Sequence, residues 1–238
     1  MPRAIRTYAV IAVTVSASAA AFGVDPPDAR VNPVSELIET VDATWSGSNY
    51  NVRYTQLTST GDQTASFLLT NNPANDVDPR IATASNGDNA VAWWRDLATD
   101  AIVYRKRSFA TGTWSPERVA GGKTSNSHPR IVYAGDKPWV AYQIQNAKSR
   151  SIGCQIIDDD PEPISAIVAT TSYAGSLDIR LHAESGHLWV TWIDAASYVG
   201  YSEFNYNMHL WSLPARESFA ADSASAALSR IQSRILGY

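Results

Sequence analysis

The sequence predicts an all-β, propeller-like fold of about four four-stranded blades, and three observations carry that prediction. An arginine recurs every 50 residues, at Arg30, Arg80, Arg130 and Arg180, and the register reaches Arg230. Arginine accounts for only 15 of the 238 residues, and each copy brings matched neighbours: Asp28-Ala29-Arg30-Val31, Asp78-Pro79-Arg80-Ile81, His128-Pro129-Arg130-Ile131 and Asp178-Ile179-Arg180-Leu181. Downstream, short β-branched and aromatic blocks bounded by Gly, Asn, Asp or Pro recur at matched offsets, which is how strands read in sequence. Four such blocks per repeat of about 40–50 residues is the sequence pattern of a propeller blade.

The elements follow in chain order. Residues 1–21 read as a secretory leader: Arg3 and Arg6, an apolar stretch from Tyr8 to Val15, and small residues at Ala17-Ser18-Ala19 or Ala19-Ala20-Ala21. The stretch is too short for a membrane span, so the expected location is secreted or periplasmic, with no transmembrane segment. Losing its two arginines takes the net charge from −4 to −6, a balance that argues against nucleic acid as a partner.

The repeat domain is expected over 22–217, with repeats at about 28–75, 76–125, 126–175 and 176–217. Within each repeat the arginine strand is followed by a turn (Ser85-Asn86-Gly87-Asp88, Ala134-Gly135-Asp136, Glu184-Ser185-Gly186) where Gly and Asn tolerate positive φ. The second strand carries Val91-Ala92-Trp93, Val140-Ala141-Tyr142 or Val190-Thr191-Trp192, with Ala43-Thr44-Trp45 as a weaker copy. Residues i and i+2 share a strand face, so Trp45, Trp93, Tyr142 and Trp192 are expected core residues. The third strand carries Val52-Arg53-Tyr54, Val103-Tyr104, Ile152-Gly153-Cys154 and Val199-Gly200-Tyr201, and the fourth Phe67–Leu69, Trp114-Ser115-Pro116, Ile164–Val168 and Trp211-Ser212-Leu213-Pro214. The lone Cys154 occupies a strand position and reads as a small buried apolar residue; one cysteine makes no internal disulfide.

Residues 218–238 admit two readings. From Glu217 onward Phe219, Ala224, Leu228, Ile231 and Ile235 suit an amphipathic helix, whereas Ser229-Arg230-Ile231 opens a fifth repeat that closes the ring or is cut short. An unclosed propeller leaves a sheet face to be covered, which favours self-association.

The stretch Asp78-Pro79-Arg80-Ile81-Ala82 through Gly87-Asp88-Asn89-Ala90-Val91-Ala92-Trp93, with Leu37-Ile38-Glu39-Thr40 upstream, resembles the repeats of secreted bacterial β-propeller proteins, loosely sialidase-like and mostly without an assigned activity. The resemblance covers most of 28–217 and concerns scaffold positions. A sialidase-like activity would imply three arginines on a substrate carboxylate, a Tyr–Glu nucleophile pair and Ser-x-Asp-x-Gly-x-x-Trp turns. The nearest turn, Ser108-Phe109-Ala110-Thr111-Gly112-Thr113-Trp114, lacks the Asp and is one residue short between Gly and Trp.

Candidate ligand-binding residues are Arg80, Arg130 and Arg180, with Trp94, Arg95 and Asp96 as a second group; no catalytic residue is assigned. Because the arginines repeat with their strands, they read first as architecture, alternating with Asp in charge-assisted hydrogen bonds between blades, and second as a repeated pocket. Trp94 stands out of alternation with Trp93, beside charges that suit a sugar ring. Asp158, Asp159 and Asp160 form an acidic run that lacks the spaced ligands and glycine of a Ca²⁺ loop; a solvated turn is the reading, and no cofactor is expected. His128, His182, His187 and His209 show no metal-ligand spacing. The function read from these features is a non-catalytic binding or scaffold module for a glycan or protein partner, with a sialidase-like glycoside hydrolase as the alternative.

Overall fold

The computed structural model describes residues 27–121, 125–145, 149–157, 165–171, 178–184, 187–193 and 198–220. The 1–21 leader, the Asp158–Asp160 run and most of the C-terminal segment lie outside these residues. Those described form 17 strands and no helix, so none is long and apolar enough to cross a membrane. Blade 1 comprises β1 (Asp28–Val31), β2 (Ile38–Trp45), β3 (Tyr50–Leu57) and β4 (Gln63–Leu68); blade 2 comprises β5 (Asn75–Thr83), β6 (Asn89–Asp96), β7 (Ala101–Arg107) and β8 (Arg118–Ala120). Blade 3 holds β9 (Asn126–Ala134), β10 (Lys137–Gln145), β11 (Arg150–Ile156) and β12 (Ser165–Thr171). Blade 4 holds β13 (Asp178–Glu184), β14 (His187–Ile193), β15 (Tyr198–Asn205), β16 (Leu210–Trp211) and β17 (Ala215–Ala220).

Each blade is an antiparallel meander in chain order. The four-stranded blades are present, with the glycine turn between β5 and β6, where Gly87 sits at φ 87°; in blade 2 the fourth strand is Arg118–Ala120 rather than the expected Trp114-Ser115-Pro116, which contributes only an isolated bridge from Trp114 to Arg107. In blade 4 the outermost strand is split, with β16 pairing Phe204 and Asn205 and β17 pairing Tyr198 to Tyr201. Pro214, which has no N–H to give a ladder, lies in the gap. Residues 215–220 are strand; residues 221–238, on which most of both the helix and the fifth-repeat readings fall, lie outside the described part.

The core is three junctions between successive blades. Val41, Val52 and Tyr54 of blade 1 meet Ile81, Val91, Trp93 and Val103 of blade 2. On the other face of β6, Ala90 and Ala92 join Ile102 and Tyr104 against Ile131, Val140, Tyr142 and Ile144 of blade 3. Ala141, Ile152, Cys154 and Val168 then pack on Ile179, Val190 and Trp192 of blade 4. A strand buried on both faces reads as a continuous apolar run rather than an alternation, as Ala90-Val91-Ala92-Trp93 does. Burying a large side chain in such a junction stabilises by about 1.5–3 kcal/mol.

Trp93, Tyr142 and Trp192 are buried as the i, i+2 pattern requires. Trp45 is not: it is 55% exposed, at the last position of β2, with its ring edge-on to that of Tyr50 at 5.1 Å. The strand ends before the side chain can reach the junction with blade 2, so this member of the expected core is corrected.

Two glycines make the aromatic packing of blades 3 and 4. A Cβ on Gly153 would stand 2.4 Å from the Tyr142 ring, and one on Gly200 would stand 2.2 Å from the Trp192 ring. Each glycine lies directly across the ladder from its aromatic partner. The ring packs close to the glycine because nothing projects there.

Candidate functional site

The first strand of each blade (β1, β5, β9, β13) packs beside the first strand of the next. The recurrent arginines sit on these inner strands, so Arg30, Arg80, Arg130 and Arg180 converge on one cavity of about 250 Å³, completed by Asp28, Ile131 and Leu181. The expected alternation with aspartate is realised in three of the four blades' described contacts. Arg30 donates to Asp28 Oδ1 at 2.9 Å, Arg80 pairs with Asp78, and Arg130 reaches across to Asp78 Oδ2 at 3.4 Å.

Further bonds stitch the inner strands in sequence. The Ile81 amide donates to Asp28 Oδ2 at 3.0 Å, linking blades 1 and 2. Arg130 Nε donates to the Ile179 carbonyl at 3.1 Å, linking blades 3 and 4. The Asp28 and Asp78 carboxylates are thus held by guanidinium and amide donors. Arg30 is the most exposed of the set, its side chain 46% open, whereas those of Arg80 and Arg130 are about 15% open.

Local backbone geometry explains how two of these side chains are aimed. Asp78 and His128 both adopt positive φ, 48° and 54°. The ladder registers slip at the same places, between Val77 and Arg80 in β5 and opposite Ser127 to Arg130 in β9. These are β-bulges, which bend a strand and re-aim its side chains, and both fall at the Asp/His-Pro-Arg copies, where proline removes a ladder donor. Repeats 1 and 4, with Ala29 and Ile179 in place of proline, keep an unbroken register. Simple two-residue alternation, expected for Asp78 and Arg80, therefore holds in the outer repeats and not in the middle ones.

The second candidate group does not join this cavity. Trp94 is half-buried, with its ring tilted 31° against His128 at 5.3 Å. Arg95 turns to the buried Asp76 carboxylate with a two-pronged bond, 2.7 and 3.0 Å, and to Glu117 at 2.9 Å. Asp96 is exposed at the end of β6, opposite Asn75. The three residues thus have separate surroundings.

One polar cluster escaped sequence reading. Glu39 is fully buried in the junction between blades 1 and 2. It accepts hydrogen bonds from Tyr54 at 2.7 Å, Gln56 at 3.0 Å and Asn32 at 3.2 Å, and lies 3.7 Å from Arg107. Glu39 shares its strand face with Val41, so a carboxylate at a junction-facing position was the available signal. A phenol on a carboxylate is chemically the pairing that a tyrosine nucleophile requires. Here, however, burial first, and then the Glu39 carboxylate, push the Tyr54 phenol well above its usual range. Tyr54 is 1% exposed and stays a protonated donor, which makes this a structural clamp.

No family model matches the chain, and no curated protein matches it in sequence. Among solved structures it is similar to hydrazine synthase of Kuenenia stuttgartiensis (12% identity, 80% of this chain and 71% of that one, TM-score 0.49). It is likewise similar to the polysaccharide lyase Uly1 (11% identity, 81% and 60%, TM-score 0.49). A third is the GH43 endo-arabinanase of Bacillus licheniformis (12% identity, 84% and 81%, TM-score 0.46). The likeness concerns the course of the chain alone.

Proposed function

We propose that this chain is a secreted, non-catalytic propeller module that binds an acidic group of a glycan or protein partner in its axial arginine cavity. The observation that carries this reading is the convergence of Arg30, Arg80, Arg130 and Arg180 on one cavity. Four guanidiniums line it beside one carboxylate, that of Asp28, and planar guanidinium donors match a carboxylate or sulfate in geometry. Secretion rests on the leader-like residues 1–21.

A glycoside hydrolase is less well supported. Such enzymes flank the scissile bond with two carboxyl groups, one acting as acid and one as base or nucleophile. Asp28, which lines the cavity, and Asp78, which pairs with its arginines, are engaged by guanidiniums and a backbone amide, and the Tyr54–Glu39 pair is buried in a junction.

The test is calorimetric titration with glucuronic acid, N-acetylneuraminic acid and glucose, run beside hydrolysis assays on 4-methylumbelliferyl glycosides. The acids should bind, glucose should not bind at this cavity, and Arg80→Ala or Arg180→Ala should weaken the acids about tenfold, as expected for loss of one charged hydrogen bond. Turnover by the folded protein that Arg130→Ala abolishes would establish the hydrolase instead.

A further inference from the structure

The lining of the axial cavity specifies more than an acidic ligand. Strands β1, β5, β9 and β13 each contribute one arginine to it, and Asp28, Ile131 and Leu181 complete the wall. Two carboxylates fix three of these side chains. Arg30 lies on Asp28 at 2.9 Å, Arg80 on Asp78, and Arg130 on the other oxygen of Asp78 at 3.4 Å. The remaining titratable side chains described on these strands are engaged elsewhere: Asp76 with Arg95, His128 with Ser127 and Trp94, and His182 with Trp189. Among the described side chains, four guanidiniums thus stand against two carboxylates, a surplus of two positive charges.

Number, charge and size each discriminate among acids. A carboxylate is planar and offers two oxygens, which a pair of guanidinium forks already covers. A phosphoryl group offers three strong acceptor oxygens, spread about a tetrahedral phosphorus, so donors from four strands around one axis meet acceptors on every side. A phosphate monoester also carries about −1.5 to −2 charges at neutral pH, which matches the surplus, whereas a carboxylate or a sulfate ester carries one. The volume of about 250 Å³ falls below the range of about 300–1,000 Å³ typical of sites that enclose a whole small molecule. It suits a compact substituent whose carrier stays outside. The side chains of Arg80 and Arg130 are only 15% and 16% open, so an ion pair formed there is screened less than one at the surface.

We propose that the axial cavity, on the acid-binding reading given above, takes the phosphoryl group of a phosphate monoester between Arg30, Arg80, Arg130 and Arg180, in preference to a carboxylate. Asp28 and Asp78 orient the guanidiniums before the ligand arrives, which lowers the ordering cost of binding. Arginine suits this task better than lysine, because its planar fork is weakly hydrated and pairs with two phosphate oxygens at once.

The experiment is calorimetric titration of the full chain with glucose 6-phosphate, N-acetyl-O-phosphoserine amide, glucose 6-sulfate and glucuronic acid, at about pH 7.5 and about pH 5, either side of the second ionisation of a phosphate monoester near about pH 6. At the higher pH at least one phosphate monoester should bind saturably, about tenfold tighter than the sulfate and the carboxylate, as one further charged hydrogen bond allows. The better of the two identifies the carrier as sugar or serine. At the lower pH that advantage should fall about tenfold, because the ester loses most of its second charge. The sulfate and the carboxylate keep their single charge over this interval, so the ratio between ligands cancels any titration of the protein. Arg30→Gln and Arg180→Gln should each weaken the phosphate about tenfold. Arg53→Gln, on blade 1, should leave it unchanged.

Binding of both phosphate monoesters no tighter than glucuronic acid would overturn the phosphate assignment and leave the acid site standing. So would an advantage that is the same at both pH values, or phosphate binding indifferent to both arginine variants. Binding of none of the acids to folded protein would remove the acid site itself, so the two failures are told apart.

Discussion

The guanidinium of Arg130 on blade 3 lies 3.4 Å from the Asp78 carboxylate on blade 2, and the same side chain donates to the Ile179 carbonyl of blade 4. One residue thus touches three blades. Both partners of the ion pair are largely buried, so breaking it leaves a charge with reduced compensation.

This relationship gives the first prediction. Arg130→Gln should cost about 1.5–3 kcal/mol, the value of a charge-assisted hydrogen bond, and lower the melting temperature by roughly 3–12 °C in a chain of this size. Asp78→Asn should cost less when added to Arg130→Gln than alone. Thermal denaturation of the two single variants and the double variant gives the coupling, and strict additivity would refute it.

The aromatic–glycine contacts give the second. Gly200→Ala places a Cβ 2.2 Å from Trp192, and overpacking of this kind costs about 1–3 kcal/mol. In a Trp192→Leu background the same change should cost little. Urea unfolding of the four proteins decides it.

A third prediction concerns tryptophan placement. Trp93→Ala should destabilise by about 3–5 kcal/mol, the usual cost of emptying a buried large side chain. Trp45→Ala, at an exposed strand end, should fall within about 0.5 kcal/mol of the parent. Equal effects measured by chemical denaturation would contradict the core described here.

The fourth concerns alkaline pH. Burial raises the Cys154 thiol, and burial also raises the phenols of Tyr133 and Tyr142. Groups whose folded values are raised contribute stability that is complete below their unfolded values, about 8.5 for Cys and about 10 for Tyr. That contribution is lost as pH climbs through the folded values. The melting temperature should therefore hold to about pH 8 and decline steadily above it. Native Cys154 should not react with Ellman's reagent at pH 8, and should react once urea unfolds the chain.

A fifth prediction addresses the buried carboxylate. Tyr54→Phe removes the 2.7 Å donor to Glu39 and should cost about 1–3 kcal/mol, the penalty of leaving a buried acceptor short of a partner. Glu39→Gln should cost a similar amount, and circular dichroism melts of both variants provide the check.

The repeat made the blade count and inner-strand positions legible, because 50-residue spacing and i, i+2 pairing are properties of the chain itself. The convergence of Arg80, Arg130 and Arg180 was legible only as a choice between a cavity and an ion-pair ring, and both occur together. What the sequence withheld was local. The bulges at Asp78 and His128 depend on where proline interrupts a ladder, and the fate of Trp45 depends on where β2 stops. That Arg95 turns to Asp76 and Glu117 while Trp94 meets His128 was not legible either, because it depends on which face of β6 each side chain takes.

The close approach of Trp192 to Gly200 and of Tyr142 to Gly153 also limits how this chain can drift. Blade 2 sets Val103 opposite Trp93 and needs no such void. In blades 3 and 4 neither partner is free to change alone: a side chain gained at 153 or 200 collides with the ring, and a ring lost leaves a hole over bare backbone. Each pair must mutate in tandem or stay, so among related sequences a bulky residue at 200 should keep company with a small one at 192. That co-variation would mark which blades descend from a common copy.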